Sequence, residues 1–192
     1  MTNVLVPRLG VLLSGGGRTL QNLVDRIRAG RLAAEVAVVL SDKPGVLGLE
    51  RARTAGIPAF VERDATAIWQ RIREHRCDLV ILAGYLRLLP IDPEFRDRVL
   101  NIHPALLPRH GGKGMYGHHV HEAVLAAGDR ESGCTVHLCT DEYDRGAIVH
   151  QQSVPVLPGD TPDTLAARVF AAECEAFPVA IEQHWHRLQS GS

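Results

Sequence analysis

Residues 9–27 read LGVLLSGGGRTLQNLVDRI. The apolar run Leu9 to Leu13 stops at Ser14-Gly15-Gly16-Gly17, as a strand does on entering a turn. Leu20, Leu23, Val24 and Ile27 then fall at i, i+3, i+4 and i+7, giving one apolar helix face, and Gly30 is placed to close that helix as its C′ residue. The same alternation continues outward. Residues 35–40 (EVAVVL) read as a strand, 47–55 as a helix closed by Gly56, 58–61 as a short strand and 66–76 as a helix. Residues 79–83 are apolar on both faces and therefore central in a sheet. A β-α-β-α order implies an α/β fold, with a mostly parallel sheet flanked by helices and a Rossmann-like N-terminal half.

The turn at 14–19 sits between a strand and a helix N-terminus. Backbone N–H groups and the helix dipole favour an anion there, and glycines allow a phosphate to approach. A Walker A loop is excluded because no Lys follows the glycines, and a dinucleotide fingerprint is excluded because Leu20 stands where glycine is needed. Asp42 ends the second strand as a ribose-binding acid would, but in SDKPG it reads equally as a turn residue.

The chain has 192 residues, most simply one domain with halves at about 9–100 and 101–188. An apolar fraction of 45% and a charged fraction of 22% are those of an ordinary globular protein. The net charge is −1, and no stretch gathers Lys or Arg, so neither nucleic acid nor a membrane surface is an expected partner. Cys77, Cys134, Cys139 and Cys174 form no C-x-x-C pair, which points to reduced thiols in the cytoplasm, with Cys134 and Cys139 in or near the core. The start, MTNVLVPR, is too short to span a bilayer and reads as a ragged lead into the first strand.

The second half carries the chemistry. In Asn101-Ile102-His103-Pro104, Asn101 and His103 project to the same side of a strand end, and Pro104 has no N–H to continue the ladder. An amide donor and an imidazole therefore stand at a strand's carboxyl edge, where α/β enzymes place their sites. Asp144, in DEYDRG, is a carboxylate able to raise the histidine pKa and hold it protonated near neutral pH. Taken singly, Asn-x-His-Pro and Asp-x-Gly are also turn signals.

Residues 109–121 (RHGGKGMYGHHVH) are dense in glycine and histidine and read as a mobile functional loop, closed by a helix over 122–127. Lys113 and Tyr116 are open to substrate or to a neighbouring subunit. His110, His118, His119 and His121 do not fall on one helix face, so no metal site is expected. Residues 135–138 and 148–154 read as strands around the Asp144 turn. Pro162, after Thr161, opens the last long helix, which Pro178 should kink or restart. Leu165, Val169 and Glu173 share a ridge of that helix.

The run VLNIHPALLP, the later SGCTVHLCTDEYDRGAIVHQ and the early LSGGGRTLQNLV occur in a fixed order that resembles the folate-dependent formyltransferases, above all the branch acting on phosphoribosylglycinamide. The resemblance spans roughly residues 9–186. It implies the single-domain formyltransferase fold and transfer of a formyl group from 10-formyltetrahydrofolate to the amine of phosphoribosylglycinamide in purine biosynthesis. It also implies catalytic roles for Asn101, His103 and Asp144. Gly17, Arg18 and Thr19 would hold the substrate phosphate, although the family often has Ser or Thr and then Asn at the last two positions. Glu173 would face the ribosyl substrate. Leu86, Arg87, Leu88 and Leu89 would line the pterin pocket, and residues 139–144, including Thr140, Asp141 and Asp144, would close over it.

The family's folate-tail contact near 62–68 does not carry over, because that segment is abbreviated here. The donor is a cosubstrate and no metal is implied. The expected partners are these two small molecules, and a homodimer is compatible. Two alternatives share the residues: a 10-formyltetrahydrofolate hydrolase, whose usual extra N-terminal domain 192 residues leave no room for, and an inactive folate- or phosphate-binding module.

Overall fold

Strands and helices alternate from the first described residues of a computed structural model, which describes residues 6–191. The lead-in at residues 1–5 lies outside them. The chain forms two compact units, one ending at Leu100 and the other beginning at Asn101.

In the first unit the elements run β1 (Arg8–Leu13), α1 (Arg18–Arg28), β2 (Glu35–Ser41), α2 (Leu47–Thr54), β3 (Ala59–Val61), α3 (Ala65–Glu74) and β4 (Leu79–Leu82). The strands lie side by side as β3-β2-β1-β4, every pair parallel. Leu12 is opposite Leu40 on one side and Leu82 on the other. Because each crossover is helical, both faces of β1 and β4 are covered, and Leu9, Val11, Leu12, Leu79 and Ile81 are buried. Gly30 and Gly56, with positive φ, follow α1 and α2 as the sequence suggests. Parallel strands all end at one edge. There the Ser14 N–H donates to the Gly84 carbonyl at 3.0 Å, and the Leu86 N–H donates to Ser14 Oγ at 3.0 Å.

The second unit holds most of β5 (Val99–His103), then α4 (His118–Ala126), β6 (Glu131–Leu138), β7 (Ile148–Pro155) and α5 (Pro162–Ser190). β6 and β7 pair antiparallel, with a register shift between Val136 and His137. α5 packs on β6, β7 and α4. Its buried residues include Leu165, Val169, Phe177 and Ile181. Thr161 and Thr164 form a reciprocal capping box ahead of Pro162, which explains the sharp start of α5. The α/β class and the mostly parallel sheet flanked by helices are therefore observed.

Three local expectations need correction. α4 starts at His118, not at 122, because Gly117 makes the N-terminus without any side-chain cap to announce it. β6 starts at Glu131, four residues earlier than its apolar core suggests. α5 does not restart at Pro178: that residue is buried between Phe177 and the following apolar turn, and packing sustains the helix where a backbone hydrogen bond is lost. None of the helices among the described residues is long and apolar enough to cross a membrane.

The turn after β1 depends on a close approach of two backbones. Gly17 has φ +68°, and a Cβ there would sit 2.6 Å from Gly48 Cα. A Cβ on Gly48 would in turn meet Leu13 Cδ1 at 2.6 Å and the Gly15 carbonyl at 2.9 Å. Gly17→Ala is therefore expected to destabilise the protein by roughly 1–3 kcal/mol through overpacking and a disfavoured φ. Urea unfolding checks this; a midpoint equal to that of the native protein would show that the helix starts are not in contact.

Candidate active site

β5 ends where Pro104 withdraws its N–H, and the strand runs through His103 itself. Asn101 and His103 leave the same face, as the alternation requires. His103 is 3% exposed. Its Nε2–H donates to the His110 carbonyl at 2.8 Å, and its Nδ1 lies 3.5 Å from Asp144 Oδ2. The Asp144 carboxylate also accepts the Gly112 N–H at 2.8 Å. Asn101, His103 and Asp144 thus converge within the second unit.

A fourth side chain joins them. His137, 2% exposed, donates Nδ1–H to the Leu138 carbonyl at 2.9 Å, which leaves Nε2 to take an N–H of the Asn101 amide at 3.0 Å. The same Nε2 is 3.5 Å from Asp144 Oδ1. Asp144 therefore stands between two imidazoles. The register shift against β7 falls at the same place: Val136 is opposite His150 and His137 opposite Ile148, so the extra residue, Val149, lies on β7. Sequence reasoning placed His137 only inside a strand; the available signal was its position in TVHL, two residues from Thr135 on one strand face. Thr135 itself ties down the turn after β5, donating to the Ala105 carbonyl at 2.7 Å and accepting the Leu107 N–H at 3.0 Å.

Asp144 has φ +55° and His110 φ +53°, two of four non-glycine residues with positive φ among those described. Each costs of the order of 1 kcal/mol and persists only where its surroundings over-determine it, a common property of functional positions. Gly146 is needed next to Asp144, because a Cβ there would collide with the Leu138 carbonyl.

The electrostatics reverse one expectation. Burial is the largest influence on His103 and lowers its pKa; the Asp144 charge and the His110 carbonyl pull it up but do not prevail. The imidazole is thus not held protonated at rest, because a lone Asn-x-His motif does not reveal how much water the ring loses. For Asp144, burial works upward, but the His137 imidazole, the His103 charge and the Gly112 N–H together hold the carboxyl below its ordinary range. Asp144 is ionised at neutral pH.

The other site residues are distributed as follows. Gly17 is buried, Arg18 exposed and Thr19 half-buried at the start of α1. The Gly15 carbonyl accepts the Gly48 N–H at 3.1 Å, and the Gly16 carbonyl accepts Arg51 Nε–H at 3.0 Å. In a trans peptide the N–H opposes the C=O, so the N–H groups of Gly16 and Gly17 point away from α2. A Cβ on Gly15 or Gly16 would meet nothing within 4 Å. Leu86 and Leu88 are 44% and 41% exposed, Arg87 is exposed and Leu89 is buried. Thr140 and Asp141 are exposed in the turn before Asp144. Glu173 is half-buried on α5 and, after burial, contributes to pushing the Cys134 thiol up to about 12.

The 109–121 segment is anchored at both ends, by the His110 and Gly112 bonds and by buried His121; Lys113, Tyr116 and Gly117 are exposed. Three of its histidines have separate partners: His110 with Asp129 at 2.7 Å, His118 with Asp163 at 3.0 Å and His119 with Glu122 at 3.5 Å. Among the described residues no His, Cys, Asp or Glu cluster is placed to hold a metal ion.

A parallel α/β half is thus followed by the convergent Asn101, His103 and Asp144, of which His103 is buried and the other two half-buried. Residues 7–181 match the formyl transferase family model, and the chain belongs to that family. Among its relatives is the trifunctional purine biosynthetic protein adenosine-3 of Drosophila melanogaster, 44% identical over 187 residues. That match covers 91% of this chain and 14% of the fly protein. The chloroplastic phosphoribosylglycinamide formyltransferase of Arabidopsis thaliana is 40% identical, covering 86% of this chain and 61% of the plant protein. The chain thus spans less than two thirds of these relatives. The solved phosphoribosylglycinamide formyltransferase of Brucella melitensis superposes with a TM-score of 0.84 at 38% identity, covering 94% of this chain and 96% of that one.

Two buried imidazoles make stability depend on pH. Burial lowers the pKa of His121 as it does that of His103, and the buried Nδ1 of His121 has no hydrogen-bond partner. Both take up a proton more readily in the unfolded chain, near 6.5, than in the fold. Stability is therefore complete above that value and is lost as pH falls through the lower folded values. His121→Leu removes one such group and is expected to lose less stability than the native protein between pH 7.5 and pH 5. Parallel losses in urea midpoints across that range would contradict it.

Proposed function

We propose that this chain transfers the formyl group of 10-formyltetrahydrofolate to the primary amine of phosphoribosylglycinamide. The observation that carries the reading is the convergence of Asn101, His103 and ionised Asp144 at the end of β5, in a chain of the formyl transferase family.

In this reading the amine attacks the formyl carbon directly, so a carbon–nitrogen bond forms and no enzyme nucleophile is used. The formyl oxygen becomes an oxyanion. The Asn101 amide, one of whose hydrogens is engaged by His137, has a second N–H to donate. His103 Nε2 is committed to a backbone carbonyl, so Nδ1 is the nitrogen that meets the reacting groups. Negative charge developing on the oxyanion adds to that of Asp144 and favours the imidazolium that burial disfavours at rest. The proton leaving the attacking nitrogen passes through water to Asp144, which shares it with His103 Nδ1 to form that imidazolium, and the same proton reaches N10 as the bond from N10 to the formyl carbon breaks.

The remaining roles are assigned by the same reading. Backbone N–H groups of the turn at Gly17, Arg18 and Thr19 hold the phosphate, supported by the orientation of the neighbouring peptides and the helix dipole. Glu173 contacts the ribosyl hydroxyls. Leu86 to Leu89 and the turn with Thr140 and Asp141 take the pterin, supported by the exposure of Leu86 and Leu88, which a packing role leaves unexplained. Cys77, Cys134 and Cys139, which form no disulfide, fit a reducing compartment such as the cytoplasm.

Folate product formation measured with and without the glycinamide nucleotide tests the reaction. Acceptor-dependent turnover is expected; acceptor-independent formate release, or binding without turnover, would overturn it. Asp144→Asn is expected to lower kcat by ~10²–10⁴ with both KM values little changed, since an acid–base group acts mainly in the transition state. A folded variant keeping more than about a third of native kcat would remove Asp144 from the mechanism.

A further inference from the structure

The segment 110–112 touches both groups at the centre of the site. The His110 carbonyl accepts the His103 Nε2–H at 2.8 Å, and the Gly112 N–H donates to Asp144 at 2.8 Å. Between them Gly111 is wedged tightly: a Cβ there would lie 2.5 Å from Leu107 Cδ2 and 3.3 Å from Asp144 Cβ. His110 holds its carbonyl in this position with φ +53°, a backbone state that a β-carbon disfavours. Some force outside the segment must therefore keep it there.

That force is visible on the far side of His110. Its Nε2–H donates to Asp129 Oδ2 at 2.7 Å, and Arg109 Nη1–H donates to Asp129 Oδ1 at 3.2 Å. Both His110 and Asp129 are largely buried, with side-chain exposures of 16% and 17%, whereas Arg109 is 55% exposed and contributes less. Glu131 and Ser132 line the same shallow depression beside Leu106 and Val124.

We propose that Asp129, acting through the His110 side chain, is a positioning residue that fixes which nitrogen of His103 carries the resting proton. The clamp holds the His110 carbonyl against His103 Nε2. The neutral ring is thereby locked as the Nε2–H tautomer, and Nδ1 is left facing Asp144. Without the clamp, His110 relaxes out of the left-handed region, its carbonyl leaves Nε2, and the proton moves to Nδ1, where Asp144 attracts it. The ring then keeps its place but presents the wrong nitrogen state to the reacting groups. His110 and Asp129 do not touch the reacting groups themselves. The inference deepens the proposed function and rests on it for the rate effect, but the tautomer can be read without any turnover.

The test is 15N–1H NMR of protein labelled at its histidines, at a pH above 7, where His103 is neutral. Native protein is expected to show His103 as a single Nε2–H tautomer. Asp129→Ala, and independently His110→Phe, which keeps ring volume without a nitrogen donor, are expected to shift His103 toward Nδ1–H. Both should lower kcat by about tenfold to a hundredfold with KM within twofold. Asp129→Asn retains an oxygen acceptor for His110 and is expected to restore both the tautomer and most of the rate. If Asp129→Ala does not fold, the His110→Phe spectrum decides. An unchanged Nε2–H tautomer in the folded variants would overturn the clamp. Absent transferase activity in native protein would instead refute the proposed function, with the tautomer result standing apart.

Discussion

One largely buried carboxylate ties together the site in the second unit. Asp144 lies 3.5 Å from His103 Nδ1 and 3.5 Å from His137 Nε2, and it accepts a backbone N–H from Gly112. Removing an ionised group from water costs several kcal/mol unless donors replace the water. The surroundings supply one direct donor, the Gly112 N–H at 2.8 Å, in a segment whose other end is tied to His103. The Leu138 N–H donates to the Ala147 carbonyl at 2.9 Å and closes the base of the turn. Gly146 leaves no room for a side chain beside Leu138, and Asp144 itself adopts a left-handed backbone. These features follow if the carboxylate must occupy one position and no other.

The same constraint accounts for the division of labour between the two histidines. His137 has both nitrogens occupied at rest, one by the Leu138 carbonyl and one by the Asn101 amide. Its role is to orient Asn101. His103 has one nitrogen committed to a carbonyl and the other left beside a carboxylate at more than hydrogen-bond length. Burial favours its neutral form, and in the proposed reaction the charged form would be reached only as negative charge develops next to it.

Much of the fold was legible in the chain because its signals are local. The i, i+3, i+4, i+7 face of α1, the glycines that close α1 and α2, and the Thr161-Pro162 start of α5 each act within a few residues. The halt of β5 at Pro104 placed Asn101 and His103 correctly on one face for the same reason. What escaped the sequence depends on distant partners. His137 looked like a strand residue because its significance lies in meeting Asn101 and Asp144. The start of α4 at His118 carries no capping side chain. The early start of β6 rests on Gly133, whose missing Cβ lets the Gln152 carbonyl of β7 approach. The sign of the His103 shift depends on burial, which no dipeptide spacing encodes. The Gly17 turn illustrates a mixed case: glycine was expected for an anion's approach, and the structure adds a backbone contact with Gly48 as a second reason for it.

The central claim is that Asp144 and His103 act as one unit on one proton. A double-mutant cycle in kcat, built from Asp144→Asn, His103→Asn and the pair together with folding checked by circular dichroism, tests it most directly. Coupled groups lose their shared function once, so the double variant should fall no more than about tenfold below the worse single variant. A double variant whose loss equals the product of the two single losses would mean that the two side chains act independently, and would contradict the account.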